Sequence, residues 1–111
     1  MEKSKVSITK TKSNPKYEEI RAAVERGINL LGGMRDIVRP GQKVLIPPSW
    51  VTTITKREEA AITLPEVTRA VADIVQGAEG KAIIAESSAI GVDSEKVIAG
   101  SGYQNLRDQG Y

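Results

Sequence analysis

The stretch KVLIPPSW, residues 43–50, decides how this chain is interpreted. Its apolar run ends abruptly at two prolines, which cannot donate backbone hydrogen bonds within a sheet. A short, uninterrupted apolar run of this kind is typical of a strand buried on both faces, as in a parallel sheet. The sequence therefore predicts a buried parallel strand over residues 43–46, whose end leads into Ser49 and Trp50, the only tryptophan of the chain.

Two further segments have the pattern of strands. KVSITK, residues 5–10, alternates apolar and hydroxyl side chains, as a strand with one buried face does, and KAIIAE, residues 81–86, is a second short apolar run. Helical patterns lie between or after them at residues 17–31, 63–80 and 93–102. The order β-α-β-loop-α-β-α predicts an α/β fold, in which helices pack on a small parallel sheet of about three strands.

The length of the chain and its predicted sheet indicate how many domains it has and whether it associates with itself. With 111 residues, the chain is interpreted as a single α/β domain over residues 1–111. A sheet of about three strands has open edges, which present unpaired backbone groups. We therefore expect self-association through these edges.

Composition excludes several classes of chemistry. The chain has no cysteine and no histidine, so thiolate nucleophiles, histidine proton shuttles and cysteine-ligated metal sites are absent, and no cofactor is predicted. The net charge of +2 disfavours nucleic acid as the main partner. No apolar run approaches the roughly 20 residues that span a bilayer, so no membrane partner is expected and a cytoplasmic location is the simplest prediction.

Candidate binding residues follow from the topology. In open parallel sheets, ligands bind beyond the carboxyl ends of the strands, where residues 10–14, 47–53 and 86–91 follow the three predicted strands. Residues 47–53 and 86–88, with residues 63–66 at the start of the second helix, are expected to line this crevice. We therefore expect an unknown small ligand in this crevice. The candidate ligand-binding residues are Ser49, Trp50, Thr52, Thr53, Thr63, Glu66, Glu86, Ser87 and Ser88.

Each candidate also has a structural interpretation. Trp50 suits a binding surface and, equally, the core of a protein that lacks phenylalanine. Thr63 and Glu66 have the spacing of a capping box at a helix start. Glu86 and the serines after it are residues that often bond loop amides. Catalytic residues are not assigned, and no metal site is predicted.

Three longer stretches resemble the domain-of-unknown-function family numbered 362. They are AAVERGINLLGGMRDIVRPGQKVLI (22–46), TLPEVTRAVADIVQGAEGKAIIAESSAI (63–90) and VIAGSGYQNLRDQGY (97–111). The resemblance implies an α/β fold, a frequent association with iron–sulfur and redox proteins, and members that are commonly longer and carry a cysteine-rich, ferredoxin-like segment. By this resemblance, the chain is a truncated or diverged member without cluster ligands, or the N-terminal part of a longer family domain.

The chain departs from the family pattern at the predicted strand ends. Where the family typically has Lys-Pro-Asn, residues 47–49 read Pro-Pro-Ser, and Leu64 stands where a histidine is expected. The expected Gly-Asp-Ser-Pro corresponds to residues 85–88, Ala-Glu-Ser-Ser. These departures leave two hypotheses open. The domain binds a small ligand or anion at its strand ends, or it is a non-catalytic interaction or self-assembly module that uses the 47–62 loop and Trp50.

Overall fold

A computed structural model of the chain describes residues 2–51, 61–88 and 90–111. In chain order, its elements are helix α1 (Tyr17–Asn29), a 3-10 turn (Met34–Asp36), strand β1 (Lys43–Ile46), helix α2 (Pro65–Gly77), strand β2 (Lys81–Ile84), helix α3 (Ser94–Ser101) and helix α4 (Tyr103–Asp108). The α/β class with a small parallel sheet is confirmed. No helix in the described part of the chain is long and apolar enough to cross a membrane.

The sheet consists of β1 and β2, paired in parallel from Lys43 opposite Lys81 to Ile46 opposite Ile84. Along each strand the exposure alternates, because helices cover only one face of the sheet. Leu45 and Ile83 lie on the other face and are 61% and 43% exposed. The prediction that residues 43–46 are buried on both faces is therefore wrong for the described part of the chain.

The predicted strand over residues 5–10 is not part of this sheet, so the described residues form two strands rather than about three. The segment lies along α1 instead. Ser7 Oγ donates a hydrogen bond of 2.7 Å to the backbone oxygen of Gly27, and Thr9 Oγ1 donates one of 2.8 Å to that of Ala23. The hydroxyl side of the alternating pattern thus faces the protein, because helix carbonyls offer it acceptors.

Among the described residues, much of the apolar core lies in two clusters. One lies beneath the sheet, where Val38, Val75 and Ala78 are buried against the covered face of β1 and β2. The other lies between the strand ends and the last two helices, and its buried members are Trp50, Ile62, Val97, Ile98, Tyr103 and Leu106. This second cluster places the end of β1 beside α3 and α4.

The turn between α3 and α4 depends on one glycine. Gly102 ends α3 and precedes α4 with a φ of 91°, a left-handed conformation that glycine adopts without strain. At the other end of α3, Asp93 Oδ1 accepts a 2.9 Å hydrogen bond from the backbone N–H of Glu95. These two ends fix the helix that carries Val97 and Ile98 into the second cluster.

Candidate functional site

The carboxyl ends of the two strands lie side by side. The backbone N–H of Ala85, just after β2, donates to the carbonyl of Ile46 at 3.4 Å. The segments 47–50 and 86–88 therefore leave the sheet at the same edge, as the topology predicted.

The residues after β1 pair with the residues before α2. Trp50 and Ile62 form an antiparallel bridge. Thr63 donates its N–H to the carbonyl of Ser49 at 3.2 Å, and its Oγ1 accepts from the N–H of Ser49 at 3.0 Å. Two of the candidate residues, Ser49 and Thr63, are thus brought into direct contact.

The predicted capping box at the start of α2 is wrong. The helix begins at Pro65, and its N-cap is Leu64, whose side chain makes no capping hydrogen bond. The hydroxyl of Thr63 is instead bonded to Ser49. Glu66 lies in the first turn of α2, where a carboxylate complements the positive end of the helix.

Trp50 is buried, with 5% of its surface exposed, and its ring meets that of Tyr103 edge-on. The ring centroids are 5.3 Å apart with an angle of 73° between the planes, which is a favourable aromatic geometry. The buried Trp50 Nε1 makes no hydrogen bond to any described group, although the indole lies near enough to the Tyr103 hydroxyl to lower that group's pKa. The interpretation of Trp50 as a core residue is therefore confirmed, and its buried N–H has no hydrogen-bond partner among the described groups.

Tyr103 connects this region to α2. Its hydroxyl donates to the carbonyl of Thr63 at 2.6 Å and lies 2.8 Å from Thr68 Oγ1, which then donates to it. Burial raises the pKa of the Tyr103 phenol, and the hydrogen bond from Thr68 and the neighbouring Trp50 indole offset part of this increase. Tyr103 is therefore a neutral hydrogen-bonding link between the strand-end segment and the helices.

A cavity of about 50 Å³ lies beside Trp50. We call it the Trp50 cavity, and its lining residues are Trp50, Ile84, Ile98, Tyr103, Leu106, Arg107 and Tyr111. The guanidinium of Arg107 is held by Glu95, through contacts of 2.9 and 3.2 Å to the two carboxylate oxygens. The cavity thus lies beside the end of β2, and its lining includes an indole, two phenols and one cationic side chain.

The candidates after β2 bond within their own loop. Glu86 Oε1 accepts from the N–H of Ser87 at 2.8 Å, and Ser88 Oγ lies 2.9 Å from Ser94 Oγ. The predicted residues Thr52 and Thr53 lie outside the described residues. Within residues 2–51, 61–88 and 90–111, no group of three acidic side chains is arranged to hold a metal ion.

Sequence reasoning missed a polar cluster between α1, α2 and the last residue. Asp73 accepts hydrogen bonds from two phenols, those of Tyr17 and Tyr111, the latter at 2.5 Å. Arg69 Nε lies 3.7 Å from Asp73 Oδ2, and its guanidinium stacks 3.8 Å above the ring of Tyr17. The available signal was the spacing of Arg69 and Asp73, four residues apart on one helix, which favours an ion pair.

Burial, followed by the bond to Asp73, raises the pKa of the Tyr17 phenol far above its usual value. Tyr17 therefore stays protonated and donates to Asp73 throughout the neutral pH range. The cluster ties the C-terminal residue Tyr111, which also lines the Trp50 cavity, to α1 and α2.

The fold and this site define a small α/β domain in which two parallel strands end against a partly polar cavity. The family model described as "Domain of unknown function (DUF362)" matches residues 44–110, and the chain belongs to this family. A thylakoid-associated protein of Synechocystis sp. is 37% identical to it over 103 residues, which are 91% of this chain and 30% of that protein. The chain therefore spans less than a third of the length of this relative. No solved structure matches the chain.

Proposed function

We propose that the domain binds a small polar or anionic ligand at the carboxyl ends of its strands, in the Trp50 cavity. The observation that carries the proposal is that Trp50 lines the cavity while its buried N–H has no partner among the described groups. Buried polar groups are nearly always hydrogen-bonded, so an orphaned donor beside a cavity favours an acceptor that occupies it.

The size and charge of the cavity narrow the class of ligand. Its volume of about 50 Å³ has room for roughly three to five water-sized groups, which suits a small oxyanion or a short carboxylate. Arg107 supplies positive charge, and guanidinium groups bind planar or tetrahedral oxyanions well. Ser49, Thr63 and the Glu86–Ser88 loop follow the strand ends and are proposed to shape the edge of the site.

Inorganic phosphate is the probe for this proposal, and Trp50 is its reporter, because it is the only tryptophan. Phosphate should change the fluorescence of Trp50 in a saturable manner and raise the melting temperature. Arg107→Gln should weaken this binding. The matched control is Lys96→Gln, since Lys96 is exposed on α3, outside the cavity lining, and its loss changes the net charge equally.

A saturable response in the wild type that weakens only in Arg107→Gln supports the ligand site. No response in the wild type, or equal weakening in both variants, refutes it, because the second result would show only a general effect of charge.

A second candidate function is an interaction or self-assembly module. It is favoured by the uncovered face of the sheet, where Leu45 and Ile83 are exposed, because parallel strands are normally covered on both faces. The contact surface would then be this face and the open sheet edges rather than Trp50, which is buried. Leu45→Ser should reduce any concentration-dependent increase in mass seen by sedimentation, and an unchanged mass would contradict this function.

Redox association and location are further parts of the proposal. The family resemblance implies a link to iron–sulfur proteins, and because this chain has no cysteine, the cysteine ligands of any cluster would have to come from another polypeptide or another part of the protein.

We propose a cytoplasmic location, while the Synechocystis relative is thylakoid-associated by name. Cell fractionation with an antibody to the chain tests this, and recovery with membranes would contradict it.

A further inference from the structure

The segment over residues 5–10 has the exposure pattern of an extended backbone and has no strand partner within the described part of the chain. Its exposure alternates, with Val6 and Ile8 at 80% and 81% and with Ser7 and Thr9 partly buried, which is the two-residue period of extended backbone. Within the described part of the chain, no backbone–backbone hydrogen bond involves residues 2–15. The segment therefore presents unpaired N–H and C=O groups along its edges, which is the feature that invites strand pairing.

Helix α1 holds this strand in place before any partner binds. Besides the bonds of Ser7 and Thr9 to helix carbonyls, Arg26 Nη2 donates to the backbone oxygen of Lys10 at 3.4 Å. The segment lies close to the helix, because a Cβ at Gly27 would already be in van der Waals contact with Ser7 Oγ, at 3.4 Å. A strand that is already ordered loses less conformational entropy on pairing than a free tail does.

We propose that two copies of the chain associate by antiparallel pairing of this strand, centred on Ser7. A two-fold axis through the Ser7 pair relates the copies, as in the isologous interfaces of most homodimers. Val6 then lies opposite Ile8 of the second copy, and Lys5 lies opposite Thr9 of the second copy. Both α1 helices lie on the same side of this ribbon, so the bonds from Ser7 and Thr9 to α1 are kept.

The alternation of side chains selects this register among its neighbours. Directly opposite residues of an antiparallel pair point to the same face of the ribbon. In both copies the odd-numbered residues face α1, so an odd position must lie opposite an odd position and an even position opposite an even one. Each register is therefore described by the sum of the two opposite residue numbers, and this sum must be even. A sum of 14 places Val6 opposite Ile8 twice. A sum of 12 keeps Val6 opposite Val6 but places Ile8 opposite Ser4, and a sum of 16 keeps Ile8 opposite Ile8 but places Val6 opposite Lys10. Each of these registers therefore has one apolar pair instead of two.

Charge is compatible with the same register but does not exclude a sum of 12, which places Glu2 opposite Lys10, so the apolar pairs decide between these two registers. With a sum of 14, Glu2 lies opposite Lys12 of the second copy, and no lysine faces another lysine. Sums of 13 and 15 place Lys10 opposite Lys3 or Lys5, and like charges directly opposite are destabilising. The pairing is independent of the ligand proposal and does not use the edges of the β1–β2 sheet.

Disulfide trapping tests the register directly, because the chain has no native cysteine. Ser7→Cys places two thiols opposite each other across the two-fold axis, within the distance that a disulfide spans. Thr9→Cys is the matched control, since Thr9 faces the same side and has an equivalent bond to α1. Its counterpart in the second copy lies about 13 Å away along the strands, which is too far for a disulfide.

Under mild oxidation, Ser7→Cys should form a covalent dimer at least about tenfold faster than Thr9→Cys, because pairing raises the effective thiol concentration. The wild type should sediment with a mass that rises with concentration from 12.0 kDa towards twice that value. Circular dichroism checks that both variants keep their fold. Equal trapping rates, or a wild-type mass that stays monomeric at the highest concentration reached, would overturn the proposal.

Discussion

Replacing Gly80 by alanine should destabilise the domain severely. Gly80 lies in the turn between α2 and β2, and it is buried. A Cβ at this position would lie 2.6 Å from Val38 Cγ1, 2.9 Å from Val75 Cγ1 and 3.3 Å from the backbone oxygen of Val75. Real Cβ atoms essentially never come within 3.0 Å of another heavy atom, so neighbours must move.

The cost follows from what surrounds the added methyl group. Val38 and Val75 are only 3% and 1% exposed, so neither can swing aside into solvent, and the carbonyl of Val75 belongs to the helix backbone. Overpacking a filled core costs about 1–3 kcal/mol, and two simultaneous overlaps place Gly80→Ala at about 2–3 kcal/mol. For a chain of this length, that lowers the melting temperature by about 8–12 °C.

Gly77 provides the matched control. It is the last residue of α2, and a Cβ there would meet no atom within 4 Å. Gly77→Ala should therefore be neutral or stabilise the chain by up to about 1 kcal/mol, because alanine favours the helix.

Urea unfolding followed by the far-UV circular dichroism of both variants measures the two effects on one scale. A free energy of unfolding for Gly80→Ala within about 0.5 kcal/mol of the wild type, the range of ordinary surface substitutions, would refute this account of the turn.

Three further substitutions test the polar contacts. Tyr103→Phe removes both hydrogen bonds of the phenol but keeps the aromatic contact, so urea unfolding should show a loss of about 1–3 kcal/mol; no loss would mean that the Thr63 carbonyl and the Thr68 hydroxyl find other partners. Asp93→Ala removes the cap of α3 and should cost about 1 kcal/mol, with Asp93→Asn as the conservative control that keeps most of it. Tyr17 has a folded-state pKa raised by burial and by Asp73, so its contribution to stability is complete below its usual pKa of 10.0 and is lost as the pH rises above it. Tyr17→Phe should therefore lose less stability than the wild type between about pH 9 and 11, and parallel pH profiles would contradict the raised pKa.

The α/β class could be predicted from the sequence because the apolar runs at 43–46 and 81–84 and the helical periodicities are local patterns. The predicted sheet includes residues 5–10 because alternating apolar and hydroxyl side chains indicate an extended backbone. They do not indicate which element the segment packs against. Two hydroxyl groups bound to α1 decided its place instead. The exposed face with Leu45 was missed for the same reason, since an apolar run does not show whether a second layer covers it.

In the candidate site too, some features could be predicted from the sequence and others depend on tertiary contacts. That the segments after the two strands meet at one edge followed from parallel topology alone. Trp50 admitted two interpretations, and the edge-on contact with Tyr103, more than fifty residues away in sequence, decided for the core. Thr63 had the spacing of a cap, but the N–H of Ser49 took its hydroxyl, because a backbone donor from the adjoining segment lay within reach.

By itself, therefore, the sequence predicted the two strands of the sheet, the three longer helices, the family and the side of the sheet at which both strands end. Only the tertiary structure decided that the alternating N-terminal segment pairs with a helix, that Asp73 binds two phenols from opposite ends of the chain, and that one indole N–H is left buried beside a cavity. The physical reason is that secondary structure follows from local periodicity, whereas a buried hydrogen bond depends on which partners folding brings within about 3 Å.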